Sequence, residues 1–216
     1  MAGIISKIRM AVLITVVLIV SSPCANAEKR PIVLDAGHGG YDTGIISSGL
    51  KEKDVTLTIV KSLKAVLEEN DERRVWLTRK IDQFASIAER RAEANSASPS
   101  MLVSVHLSSN DRASVYITWY LKSDTNLSLS EYYSVTSAQR RYIYESKALS
   151  RALGGALSDL LGVSVTYREM PLELLNTIAA PAVLVELPSS GIDFEERIAE
   201  VVSVIAEGIE AYERGE

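Results

Sequence analysis

Residues 31 to 40 read PIVLDAGHGG. A run of apolar residues of strand length, PIVLDA (31–36), ends in a glycine, a histidine and two more glycines. A short, continuously apolar run bounded by glycine fits a strand buried on both faces, the kind found inside a parallel sheet. Downstream residues repeat the theme. EKDVTLTIVKSLKAVLEEN (52–70) puts Val55, Ile59, Val60, Leu63, Val66 and Leu67 on one helical face. RVWLT (74–78) reads as a second strand, FASIAERRAEANSA (84–97) as a helix with Ile87, Ala88 and Ala92 toward the core, and MLVSVH (101–106) as a third strand. SVYITWYL (114–121) alternates strictly, with Val115, Ile117, Trp119 and Leu121 on one face. A helix over about 145–161, a buried strand PAVLVE (181–186) and a closing helix over about 193–213 complete the pattern. The closing helix carries Ile198, Val201, Val202, Ile205 and Ile209.

Strands alternating with helices predict a single α/β domain, a mostly parallel twisted sheet with helices on both faces. No internal repeat or linker interrupts it. In such sheets ligands gather beyond the carboxyl ends of the strands. His38 follows the first strand, His106 ends the third, and Glu186 ends a late one. All three are therefore expected at one edge of the sheet.

The first 27 residues stand apart. Lys7 and Arg9 precede an apolar run, Met10 to Val20, too short to span a bilayer comfortably, and Ala25-Asn26-Ala27 follows as an A-x-A pattern. This reads as a signal peptide over 1–27, with cleavage before Glu28, an exported chain over 28–216 and no stable membrane span once cleaved. Removing it from the 216 residues leaves 189, with 21 basic against 28 acidic residues, a net of −7. No cluster of Lys and Arg suggests a nucleic-acid surface. The only cysteine, Cys24, leaves with the leader, so a metal site must be built from His, Asp and Glu.

The chain has two histidines, and both fall at strand ends that should share an edge. Two histidines and a carboxylate are a common zinc set that leaves one position open. Glu52, Asp54 and Glu186 compete for the carboxylate place on chemistry alone. Glu52 also suits the first turn of a helix, where the dipole favours an acid. The glycines around His38 allow close backbone packing and leave its imidazole exposed. GHGG is not a phosphate loop, since no Lys-Ser or Lys-Thr follows, and neither an H-E-x-x-H pair nor a G-x-S-x-G elbow occurs.

VLDAGHGGYDTG, EKDVTLTIVKSLKAVLE, VWLTRKIDQFASIAERRAEAN, LVSVH and PAVLVE occur in order at suitable spacing. This ordered set resembles the zinc-dependent N-acetylmuramoyl-L-alanine amidases of the type 3 family, from about Pro31 to Tyr212. The resemblance implies a phosphorylase/hydrolase-like α/β fold and zinc held by His38, Glu52 and His106. It makes Glu186 the catalytic acid, and it makes peptidoglycan in the periplasm or cell envelope the substrate. Asp54 then becomes the ordinary helix-start carboxylate, and Asp35 is expected to orient His38 from behind. Three positions depart from the family's pattern: Ser108 where Asn is common two residues after the second histidine, Pro188 after the L-V-E stretch, and Asn176 where a basic residue is common. They motivate a rival reading, a peptidoglycan-binding protein that keeps the fold and the metal with little or no turnover. A zinc peptidase acting on stem peptides is the nearest rival within enzymes. The polar segment 124–145 holds Glu131 and Glu145 and is the place for a lid over the zinc. No wall-binding module is visible, which leaves targeting to the domain itself or to a partner such as an activating protein.

Overall fold

The structure is a computed structural model that describes residues 29–47, 49–69, 73–110, 112–117, 138–190 and 192–216. Eight strands are described: β1 (Ile32–Ala36), β2 (Ile46–Ser47), β3 (Leu50–Lys51), β4 (Val75–Leu77), β5 (Met101–Ser108), β6 (Ala113–Ile117), β7 (Val165–Glu169) and β8 (Ala182–Pro188). The α-helices are α1 (Glu52–Leu67), α2 (Ile87–Ser96), α3 (Ile143–Leu161), α4 (Glu173–Asn176) and α5 (Phe194–Arg214). A 3-10 turn, Ala138–Arg141, leads into α3. Six strands form one sheet in the order β4-β1-β5-β8-β6-β7, and β2 and β3 pair as a small hairpin before α1. β4, β1, β5 and β8 are parallel, β6 runs antiparallel to β8, and β7 is parallel to β6. The fold is thus a single α/β domain with a mostly parallel, mixed sheet.

The period of two in each strand divides the core between two faces. Ile32, Leu34 and Ala36 of β1, Val103, Val105 and Leu107 of β5, and Val183, Val185 and Leu187 of β8 face one side. There α1, α3 and α5 bury their apolar stripes in one large cluster that includes Ile59, Leu63, Leu153, Leu157, Val201 and Ile205. Val33, Leu102 and Ala182 face the other side, where, among the described residues, Ala94 of α2, Leu174 and Leu175 of α4, and Ile178 just after it pack against them. Asp35, Ser104, His106 and Glu186 share the phase of this second face. His106 and Glu186 are direct register partners across β5 and β8.

Several expectations need correcting. β5 and β8 run two residues past His106 and Glu186, to a pair between Ser108 and Pro188. Those two side chains therefore project from the face of the sheet rather than from its rim. Helix α2 does not bury Ile87, Ala88 or Ala92, all of which are exposed, and Ile87 is 43% accessible. Arg90 and Ala94 are buried in their place, because a buried arginine makes the inward face of this helix polar. The helix starts three residues later than its apolar pattern, capped by a box in which Ser86 and Glu89 exchange hydrogen bonds. In α1, Val66 is 39% exposed and Thr56 takes an inward position. β7, α4 and the β2–β3 hairpin were not visible in the sequence pattern. The leader 1–27, residues 124–137 of the polar segment, and the side chains of Val115, Ile117, Trp119 and Leu121 lie outside the described residues. Among the described residues no helix is long and apolar enough to cross a membrane.

Candidate metal centre

His38 leaves β1 on a backbone that few residues tolerate. Its φ of 60° lies in the left-handed region, which costs a non-glycine residue roughly 1–2 kcal/mol. The surrounding structure fixes it. Gly37 N–H donates to Val105 O at 3.0 Å, and Gly39 and Asp42 bond to each other across the next turn. Two buried arginines then collect the carbonyls of the loop. Arg79 donates to Ala36 O at 3.0 Å and to Gly37 O at 2.9 Å, and also reaches Lys53 O of α1 at 2.7 Å. Arg90 donates to Ala36 O and His38 O, both at 2.5 Å, and to Asp35 Oδ1 at 2.9 Å. Three carbonyls in a row thus face guanidinium groups, which ties β1, α1 and α2 to the loop that presents His38. Burial depresses the pKa of Arg79, and the nearby charge of Arg90 adds to the effect.

Glu52 is the first residue of α1 and is only 2% exposed. A helix-start acid serving the dipole would stay at the surface, as Asp54 does. Glu52 instead reaches across the cleft. Its Oε2 accepts Ile45 N–H at 2.9 Å, and its Oε1 accepts Leu107 N–H at 2.9 Å. The same Oε1 lies 3.1 Å from His38 Nε2 and 3.0 Å from His106 Nδ1. Burial opposes the charge of Glu52, but these histidine and backbone contacts outweigh it and hold the carboxyl far below the usual range. The contact with Glu52 raises the pKa of His38, burial opposes that rise, and Asp42 adds to it.

His38, Glu52 and His106 therefore converge, each offering one ligand atom within 4.8 Å of the others. Two imidazole nitrogens and one carboxylate oxygen are the donor types zinc prefers. The surroundings leave the trio room. A Cβ on Gly37 would collide with the His106 ring, and one on Gly44 would sit 2.5 Å from Glu52 Oε2 and 2.6 Å from His38 Cδ2. His38 Nδ1 is buried 2.9 Å from Asp42 Oδ1, at ion-pair distance but without an aligned hydrogen bond. The residues present fit a metal ion of this class.

Asp35 does not orient His38. It is fully buried and accepts from Thr78 Oγ1 at 2.5 Å, Ser104 Oγ at 2.7 Å and Arg90. Burial works against its charge, yet Arg90 and the two hydroxyls outweigh burial and lower its pKa. Asp42 takes the place beside His38 instead. Glu186 stands outside the trio, and Tyr116 Oη donates to its Oε2 at 2.9 Å. Tyr116 is buried on β6, with the Arg168 guanidinium 5.9 Å from its ring centroid. Glu145, in the first turn of α3, lies electrostatically beside Tyr212 of α5 and is not in the trio. Just upstream, buried Gln139 donates to Ile178 O and Ala180 O, so the end of the polar segment is pinned to the fold. Ser108 is buried and its Oγ accepts Asn110 N–H at 3.2 Å, so it acts in its own turn.

The two histidines of the trio open on a cleft of about 310 Å³. Phe84, Ser86, Ile87, Leu172, Leu174 and Leu184 line it with them.

Known proteins share this fold. The chain is 39% identical over 104 residues to the endolysin of Bacillus phage SPP1, a match covering 48% of this chain and 38% of the endolysin. It thus spans well under two thirds of that relative. The catalytic domain of CwlV, an N-acetylmuramoyl-L-alanine amidase from Bacillus (Paenibacillus) polymyxa var. colistinus, superposes with a TM-score of 0.69 at 22% identity, over 87% of this chain and 100% of that one. The CwlD amidase of Clostridioides difficile, solved in complex with the GerS lipoprotein, superposes with a TM-score of 0.66 at 22% identity, over 87% and 100%. These two likenesses concern the fold. The amidase family model matches residues 32–191, from the first residue of β1 to just beyond β8, and the chain belongs to the N-acetylmuramoyl-L-alanine amidase family.

Proposed function

We propose that the protein is a zinc-dependent hydrolase that cleaves the amide between the lactyl group of N-acetylmuramic acid and L-alanine in peptidoglycan. Family membership supports the bond choice. The observation that carries the chemistry is the convergence of His38, Glu52 and His106, with Glu186 registered beside His106 on the same sheet face. The three converging residues would hold the ion. Bound zinc supplies Lewis acidity toward an amide carbonyl and toward a water at neutral pH. Glu186 accepts the proton of the attacking water and returns it to the departing amine of L-alanine. Tyr116, bonded to Oε2, fixes the orientation of that carboxylate. The Glu52 carboxylate is buried among backbone donors and stays ionised, which suits a ligand and not a proton carrier.

Export belongs to the same proposal. The basic, apolar and A-x-A order of residues 1–27 supports a leader removed before Glu28, which would place the domain in the periplasm or cell envelope. An activating partner protein completes the reading, and the CwlD amidase, solved in complex with a lipoprotein, is a precedent for a bound protein partner.

The test is incubation with purified peptidoglycan, with and without chelator, and mass spectrometry of the released ends. New L-alanine amino termini that vanish with chelator are expected. Glu186→Gln should bind zinc like the parent and cleave at least about a hundredfold more slowly. His106→Ala should lose most bound zinc by elemental analysis. Loss of zinc from Glu186→Gln would move that residue into the ligand set. If parent and variant both bound peptidoglycan and neither cut it, the protein would be a binding module.

A further inference from the structure

Tyr41 and Phe84 stack on each other beside the cleft, with ring centroids 4.4 Å apart and planes 20° from parallel. Neither ring is covered: Tyr41 is 80% exposed and Phe84 is 42% exposed. Ile81 and Ile87, three residues before and after Phe84 in the sequence, are exposed as well. Exposed, stacked aromatic rings at the edge of a cleft mark a place where something binds. Phe84 lines the same cleft as His38 and His106.

The pair is also held rigidly. The loop carrying Tyr41 presses against the loop carrying Phe84 so closely that neither Gly39 nor Gly40 has space for a side chain. A Cβ on Gly40 would stand 2.6 Å from Phe84 N, and one on Gly39 would strike Gln83 O. Gly40 N–H donates to Asp82 Oδ1 at 2.7 Å. Lys53 of α1 closes the joint, with Nζ 2.8 Å from Gly40 O and 2.6 Å from Asp82 Oδ2. The loops that carry the two exposed rings are thus fixed to the N-terminal turn of the helix that carries Glu52. Rigid aromatic anchors bind without losing much conformational freedom.

We propose that Tyr41 and Phe84 form a saccharide platform that receives the apolar face of an N-acetylated pyranose on the glycan side of the scissile bond. This rests on the peptidoglycan reading above. A pyranose carries a face of C–H groups that packs flat on a π-surface. A stem peptide carries carboxylates and amides, which need polar partners that a bare π-surface does not offer. Tyr41 follows His38 by three residues and Phe84 lines the cleft of His38 and His106, so a sugar stacked there is held near the three converging residues.

The test measures equilibrium binding of the purified protein to two probes, peptide-free glycan strands and free stem peptide. Tyr41→Ala/Phe84→Ala should bind glycan strands about tenfold more weakly, the scale of one good aromatic contact. It should bind stem peptide like the parent. Tyr41→Phe and Phe84→Tyr keep the π-surface and should bind glycan like the parent, which excludes a folding defect. On whole peptidoglycan the Ala variants should raise KM and leave kcat unchanged. The platform is refuted if the parent does not bind glycan strands, if the double variant binds them equally well, or if stem-peptide binding falls in parallel. Glycan binding is read without turnover. A parent that holds glycan through these rings but releases no L-alanine amino termini keeps the platform and loses the amidase reading.

Discussion

Arg90→Met removes the guanidinium that joins Asp35 to the loop presenting His38. Arg90 is 6% exposed and Asp35 is fully buried, so neither charge has water to fall back on. Breaking a buried pair by deleting one partner costs about 3–5 kcal/mol, because the other charge is left uncompensated. Thr78 and Ser104 still donate to Asp35, which places the expected loss toward the lower end, about 3 kcal/mol. That is a large share of the ~5–15 kcal/mol stability of an ordinary domain. The carbonyls of Ala36 and His38 lose their donor as well. Zinc affinity should therefore fall about 10–100-fold, the usual effect of removing a group that orients a ligand. Arg90→Lys keeps the charge but cannot fork between Asp35 and two carbonyls, so it should recover only part of the loss. Urea unfolding followed by circular dichroism gives the first number, and competition with a chromophoric chelator gives the second. Asp35→Asn supplies the control, since it removes the stranded charge. The double variant should lose clearly less than the sum of the two single losses. The reasoning fails if Arg90→Met stays within about 1 kcal/mol of the parent, or if the two substitutions prove additive.

Asp35 also sets a pH dependence. Its pKa is lowered from the ordinary value of 3.8 in the folded state, so its contribution is complete above 3.8 and is lost as pH falls through the depressed folded value. The parent should therefore lose stability more steeply below pH 3.8 than Asp35→Asn in an acid titration of unfolding free energy. Gly44→Ala should weaken zinc binding in the chelator competition, because Gly44 has a φ of 61° and its new methyl would sit 2.5 Å from Glu52 Oε2. Leu153→Ala, in the α3–α5 contact on the opposite face, should cost about 2–5 kcal/mol in urea unfolding yet leave zinc affinity unchanged.

The helices and strands of the larger core were legible because burial there is apolar and periodic. β1 is buried at all five positions, and α1 and α5 keep their 3.6-residue stripes except at Val66. The reading failed where polar groups do the packing. In α2 the inward residue is Arg90, whose partners Asp35, Ala36 and His38 lie 52 to 55 residues away, so the exposed Ile87 looked like core. β7 is a partly exposed strand at the sheet edge, with too little apolar surface to announce itself. At the site, His38, Glu52, His106 and Glu186 were named from their motifs, and the first three do converge. Asp42, Arg79, Arg90 and Tyr116 were missed. The capping box at Ser86, and Arg79 and Arg90 in LTRKIDQFASIAERR, offered a signal for part of this. Tyr116 offered only its place on the opposite phase of an alternating strand, because its partner Glu186 lies 70 residues further on.

The three converging side chains come from separate parts of a chain whose single cysteine, Cys24, can make no internal disulfide. Glu52 follows His38 by 14 residues, and His106 follows Glu52 by 54. An ion gripped by all three closes two loops at once, as a pair of covalent crosslinks would, but reversibly. A disulfide acts by restricting the unfolded chain, whereas the ion acts by binding the folded state. At a free-metal concentration a thousandfold above its dissociation constant, the folded state gains about 4 kcal/mol. The same ion that equips the cleft for chemistry would then act as the protein's removable staple, and metal starvation would loosen the fold as well as silence the site.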